Sequence, residues 1–187
     1  IGGNIVNGQP AADSAVALAA LGASVEVMYE DGAELLSMDR LYAGFGKSTV
    51  DSTKSLVTRI LIPEAGPGEG SGYARLEQRK ALALPMVCVA AFLGIRDGMV
   101  ERCRIAMAPV GVGPVRAIEA ERFLIGKAAE KEVFSEAGRL ALKNANPRDS
   151  LIRGSKRYRE EVLPVMVERA LSEALSDAEG REKEVEQ

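Results

Sequence analysis

The chain has 187 residues, enough for one sizeable domain or two small ones, and its mix of 47% hydrophobic and 27% charged residues is that of an ordinary globular protein. A formal net charge of −3 excludes a global basic field for nucleic acid, and no apolar run approaches the roughly 20 residues of a membrane span. There is no His, so a His-based triad within the chain is excluded and the commonest zinc ligand is missing.

The chain opens on "IGGNIVNGQPAADSA". A glycine pair beside an Asn lets a backbone approach a ligand closely, and a Gly-rich loop running into a helix is a common phosphate cradle. The plainer reading is a surface turn. Residues 10–21 read as a helix, with Pro10 in its first turn and Gly22 ending it. Val25, Val27 and Tyr29 then alternate, and Glu30-Asp31-Gly32 signals a hairpin. Residues 38–55 read as a loop with one helical turn. "LVTRILIP" reads as a strand that stops at Pro63. "EAGPGEGSG" is rich in Gly and Pro and reads as a linker, so the domain boundary is placed there.

The second unit begins with "YARLEQRKA", where Tyr73, Arg75, Glu77 and Arg79 share a strand face. "LPMVCVAAFLGI" is apolar at both parities and reads as a strand covered on both sides. After a turn at Arg96-Asp97-Gly98, "MVERCRIAMAPV" alternates again. Together these predict a three-stranded antiparallel meander. Helices are expected over 115–124, 128–144 and 155–175. The last carries an apolar stripe through Val162, Met166, Ala170 and Ala174, with Pro164 expected to kink it or mark a late start. The charged tail from about 176 is expected to fray. Cys88 and Cys103 form no CxxC pair and read as small buried residues in a reducing compartment.

Three groups could carry chemistry. The first is Gly2, Gly3 and Asn4 with Asp13; Asp13 alone is equally a carboxylate stabilised by a helix start. The second is the basic face of the strand from Tyr73 to Arg79, where Arg75 stands between an aromatic and an acid; by itself this is more simply a solvated strand face. The third is "RDSLIRGSKRYRE" (148–160), dense in basic residues, which could clamp an anion or a partner or simply open a charged helix. None of these is a catalytic constellation, and no catalytic or metal-ligating residue is assigned.

In order, these pieces resemble a known family. "IGGNIVNGQPAADSA" resembles the second flavin-binding motif of the FAD-binding (medium) subunits of molybdenum hydroxylases, the family of xanthine dehydrogenase and aerobic carbon monoxide dehydrogenase. That motif has a hydroxyl residue, an apolar residue, Gly-Gly-Asn and a later Asp; Ile1 to Asn4 and Asp13 fit its spacing. "VTRILIP", "GYARLEQRKALALPMVCVAAFL", "RIAMAPVGVGPVRAIEAERFLIGK" and "RGSKRYREEVLPVMVERAL" follow the family's layout. The last two resemble its C-terminal domain. "NGQPAADSA" and "GFGKSTV" look most like bacterial xanthine dehydrogenase FAD subunits.

The resemblance implies an α+β fold: the end of an α/β FAD-binding domain (1–64), a linker (65–72), and a C-terminal domain of three-stranded sheet and helices (73–187). It implies FAD as cofactor, with Ile1, Gly2, Gly3, Asn4, Asp13, Val57 and Arg75 in the site. Val57 would pack on the isoalloxazine. Arg75 stands where many relatives have Lys, and a guanidinium there changes the geometry. The implied function is electron transfer from 2Fe-2S clusters on a small subunit through FAD to NAD or another acceptor. Substrate, of the xanthine or purine type, would be oxidised at molybdopterin on a large subunit. The chain is expected to be the C-terminal part of a longer cytoplasmic subunit, lacking the segment with the first flavin motif and inactive alone. Part of its surface around 148–159, and the glycine loop, are expected to meet partner chains. The alternative is a non-catalytic docking domain that binds no flavin by itself.

Overall fold

A computed structural model describes residues 1–151 and 154–185. Ile152 and Arg153 of the basic stretch, and the last two residues of the tail, lie outside the described residues.

Two short helices come first, α1 (Gly2–Val6) and α2 (Asp13–Leu21). Pro10 precedes α2 and is not part of it. The helix stops where Gly22 turns left-handed at φ +70 and its N–H reaches the carbonyls of Ala19 and Leu18. Strands β1 (Ser24–Tyr29) and β2 (Gly32–Ser37) form the hairpin that Asp31-Gly32 announces. A 3₁₀ turn (Met38–Leu41) and a small hairpin, β3 (Tyr42–Gly44) and β4 (Lys47–Ser48), fill the stretch read as loop. Strand β5 (Leu56–Leu61) returns antiparallel to β1, giving the sheet order β2-β1-β5. Val25 and Val27 on the central strand are fully buried with Ile5, Leu18 and Leu41.

The second sheet has the order β6-β7-β8-β9, all antiparallel. Its strands are β6 (Glu69–Leu76), β7 (Val87–Arg96), β8 (Met99–Ala108) and β9 (Val115–Arg116). Three strands were expected; the two-residue β9 is a fourth, occupying the start of the helix predicted over 115–124. Helices α3 (Ile118–Leu124), α4 (Lys131–Ala141) and α5 (Lys156–Val185) follow. A 3₁₀ turn over Leu142–Asn144 ends the stretch predicted as helix 128–144.

Strand β7 is covered on both faces, as its two apolar parities require. Val87, Val89, Ala91 and Leu93 pack with Leu163, Val167 and Leu171 of α5. Cys88 and Ala90, on the opposite face, pack with Val16 and Ala20 of α2. Helix α2 therefore serves two cores, because Ala15 and Leu18 belong to the first.

Residues 69–72, expected in the linker, are the first half of β6. Their glycines mark close packing: a Cβ on Gly70 would lie 2.3 Å from the Ala174 carbonyl oxygen, and one on Gly72 would lie 2.1 Å from that of Ala170. The tail from about 176 is not frayed either, since α5 runs on to Val185 with Ala178 buried. Two acids of α5 cap the open edge of β6. Asp177 accepts the Ser71 N–H at 2.9 Å, and Glu173 accepts the Tyr73 N–H at 3.1 Å. Pro164 lies inside α5 and marks no late start; its carbonyl backs onto Gly138 of α4.

Candidate functional site

The start of α2 meets the end of β6, and the predicted residues gather there. Asn4, on α1, accepts the Ser14 N–H at 3.2 Å and the Ser14 hydroxyl at 2.5 Å through Oδ1, tying α1 to the first turn of α2. Asp13 opens α2. Its Oδ1 accepts two hydrogen bonds from β6, from the Tyr73 hydroxyl and from Arg75 Nε, each at 3.2 Å. Among the described residues, Asp13 Oδ2 accepts none.

Arg75 is spread over three acceptors. Nε goes to Asp13, Nη1 to Glu77, and Nη2 to the Ala83 carbonyl at 2.5 Å. The guanidinium thus ties Asp13 to the loop between β6 and β7. Gly2 and Gly3 stand at the open side of α1. A Cβ on either would meet nothing within 4 Å, and neither has a positive φ. Among the described residues nothing requires glycine at these positions, and the backbone there is open to an external group. Ile1 is exposed. Val57 is not joined to this group by any polar contact; it lies on edge strand β5 opposite Val27, half-buried against the first core.

Tyr73 and Ser14 join this candidate site without having been assigned to it from the sequence. Strand parity put Tyr73 on the same face as Arg75, which was the available signal. Its contact with Asp13, 60 residues away, left no trace in any local pattern. Burial raises the Tyr73 hydroxyl pKa well above its usual value, and neighbouring Cys88 and Asp13 add to this. Burial likewise pushes the Cys88 thiol up from 9.0 to about 12.

That shift has a direct consequence. An unfolded Cys88 ionises near 9.0, whereas the folded thiol holds its proton to about 12. The unfolded state loses its proton first, so this residue's contribution to stability falls as pH rises through that window. Native protein in neutral buffer is expected to leave Cys88 unlabelled by a thiol reagent that reacts fully after denaturation. A Cys88→Ala variant is expected to lose stability less steeply in alkali. Rapid labelling of native Cys88 would contradict the burial.

The basic stretch borders a separate cleft of about 390 Å³ between the two units, lined by Gln9, Phe45, Asn146, Arg148, Asp149 and Arg159 among others. The Arg148 guanidinium lies 3.6 Å from the centre of the Phe45 ring. Arg159 is buried and donates Nη1 to the Pro109 carbonyl at 3.2 Å. Among the described residues no group of three or more His, Cys, Asp or Glu side chains is gathered for a metal ion. Among them, too, no helix is long and apolar enough to cross a membrane.

The architecture is α+β with antiparallel sheets, and it sets a carboxylate–phenol–guanidinium group beside the Gly-Gly-Asn start of α1. Residues 73–174 match the CO dehydrogenase flavoprotein C-terminal domain, and residues 1–65 match the FAD binding domain in molybdopterin dehydrogenase. The chain belongs to this family, that of the FAD-binding subunits of molybdenum hydroxylases.

Among its relatives is the carbon monoxide dehydrogenase medium chain of Afipia carboxidovorans, 30% identical over 95% of this chain and 61% of that one. Another is the xanthine dehydrogenase FAD-binding subunit of Escherichia coli O157:H7, 26% identical over 96% of this chain and 61% of the relative. A solved structure of carbon monoxide dehydrogenase from Hydrogenophaga pseudoflava superposes with a TM-score of 0.87 at 27% identity, covering 94% of this chain and 60% of that one. The chain thus spans about 60% of the length of these relatives.

Proposed function

We propose that this chain forms part of an FAD site in a molybdenum hydroxylase assembly. On this reading it collects electrons from 2Fe-2S clusters on a small subunit and delivers them to NAD or another acceptor. Substrate is oxidised at molybdopterin on a large subunit. The likeness of "NGQPAADSA" and "GFGKSTV" to bacterial xanthine dehydrogenase FAD subunits is what supports a substrate of the xanthine or purine type. The enzyme would work in the cytoplasm.

The observation that carries the reading is the meeting of Asp13, Tyr73 and Arg75 beside glycines that the chain's own packing does not need. The donor set fits a dinucleotide. Gly2 and Gly3 leave the backbone open to a pyrophosphate. Asn4 offers an amide, and Asp13 an acceptor for a sugar or ribityl hydroxyl. Arg75 supplies a fixed cation, and Val57 an apolar surface for a ring. When bound, FAD supplies a carrier that takes up a pair of electrons and passes them on. The protein's part is to hold it, orient it and set the charge around it.

The test uses the full-length subunit that carries this chain. Purified from cells, it is expected to show the visible absorption bands of bound flavin. Asp13→Ala is expected to lower flavin occupancy with little change in apoprotein melting temperature. Losing a hydrogen bond to a charged group weakens binding by about 1.5–3 kcal/mol, or roughly ten- to a hundredfold. A flavin-free wild-type subunit that takes up no added FAD would refute the proposal. Full occupancy in the Asp13→Ala variant would remove Asp13 from the site.

A further inference from the structure

We infer that Tyr73 is a positioning residue: its hydroxyl, sharing one carboxylate oxygen of Asp13 with Arg75, fixes that side chain so that its other oxygen faces the cofactor. The inference rests on the FAD reading above and goes beyond it, because it assigns Tyr73 a role exercised through Asp13.

The geometry is specific. Asp13 is the first residue of α2, and its side chain is 46% exposed. A carboxylate so placed is free to turn about its side-chain torsions unless something holds it. Two donors hold it, and both come to Oδ1, the phenol and Arg75 Nε at 3.2 Å each. With two hydrogen bonds converging on one oxygen, the plane of the carboxylate is set. Oδ2 remains as an acceptor without a partner among the described residues. A ligand hydroxyl then meets an acceptor already aimed, and the entropy of ordering it is not charged to binding.

The two donors are themselves well anchored. Tyr73 lies in β6 opposite Ala90, and its own N–H is held by Glu173 of α5. Its ring packs against the core that contains Cys88 and Ala90. Burial keeps the phenol protonated, so it stays a donor across the working pH range. Arg75 cannot swing toward a ligand without releasing Glu77 and the Ala83 carbonyl. The roles therefore divide. Arg75 supplies charge, and Tyr73 supplies a neutral, directional contact that no ligand displaces without breaking into the sheet.

The experiment is a double-mutant cycle on the full-length subunit, with FAD dissociation constants from flavin fluorescence titration and melting temperatures of the apoproteins. Tyr73→Phe keeps the ring and removes only the hydroxyl. In the Asp13 background it is expected to raise the dissociation constant about tenfold, with the melting temperature within about 2 °C of wild type. In the Asp13→Ala background the same change is expected to alter affinity less than about twofold, because there is no carboxylate left to aim. An equal effect of Tyr73→Phe in both backgrounds would overturn the inference, since the hydroxyl would then act without Asp13. An unchanged dissociation constant in the Asp13 background would also overturn it. If the wild-type subunit takes up no FAD, the FAD reading fails and carries this inference down with it. If wild type binds and Tyr73→Phe binds equally well, the positioning role alone fails.

Discussion

Gly72→Val is expected to unfold the second unit under conditions in which the wild-type chain is folded. Gly72 sits in β6 opposite Ala91, under α5. A Cβ there would lie 2.1 Å from the Ala170 carbonyl oxygen and 2.6 Å from the Ala174 nitrogen. Both are backbone atoms in the middle of a 30-residue helix, and no rotamer change moves them. The helix would have to lift from the sheet. Leu163, Val167, Ala170 and Leu171 are fully buried beneath it and would lose that contact. The Ser71 and Tyr73 N–H groups would lose Asp177 and Glu173 as well. Overpacking a core costs about 1–3 kcal/mol where side chains can adjust. Where only backbone is in the way, about 3 kcal/mol or more is expected, near the upper end of single-residue effects. Urea denaturation followed by circular dichroism reads this directly. Gly180→Ala is the control: it lies in the same helix with nothing within 4 Å of its Cβ position. That change is expected to stabilise by about 0.5–1 kcal/mol through helix propensity alone. A Gly72→Val variant as stable as wild type would mean that α5 does not seat where the backbone contacts place it.

The same glycines explain what the sequence could and could not reveal. "GPGEGSG" carries the composition of a linker, and composition does not distinguish a flexible glycine from one that lets a helix touch a strand. The contact that separates them lies a hundred residues away. The seating of α5 on the sheet edge left no local trace for a related reason. Glu173 and Asp177 stand four apart, as acids on a solvated helix do, and their partners are N–H groups of a distant strand edge. Local signals were faithful where the cause was local. The apolar run of β7 announced two-sided burial, and Asp31-Gly32 and Asp97-Gly98 announced hairpins. Asp13 and Arg75 stood out as candidates from their own residues, motif resemblance gave them flavin roles, and strand parity placed Tyr73 beside Arg75. What parity could not supply was the partner from α2, because tertiary pairing between elements 60 residues apart is set by how the layers stack. The two-residue β9 is too short to leave a periodic trace, and a side chain does part of its work.

That side chain is Glu121, and Glu121→Ala is expected to cost about 2–3 kcal/mol. The Glu121 side chain is 9% exposed. Its Oε1 accepts the Ile105 N–H at 2.8 Å and Arg116 Nε at 2.6 Å, and its Oε2 accepts Arg116 Nη2 at 2.6 Å. Strand β9 pairs Ala106 with Arg116 and goes no further along β8. One residue on, the carboxylate takes the place a strand carbonyl would fill, so the buried Ile105 N–H is satisfied by α3. Alanine leaves that N–H without an acceptor and Arg116 without its counter-charge. Removing one member of a fully buried pair costs about 3–5 kcal/mol. The Arg116 side chain is 36% exposed and water can reach it, which screens the charge and lowers the figure. Arg116→Ala is accordingly expected to cost less than Glu121→Ala, because Glu121 would keep its bond to Ile105. Chemical denaturation of the two variants gives the ordering. Equal costs would place the whole effect in the ion pair, and a larger cost for Arg116→Ala would deny the carboxylate its part in the sheet.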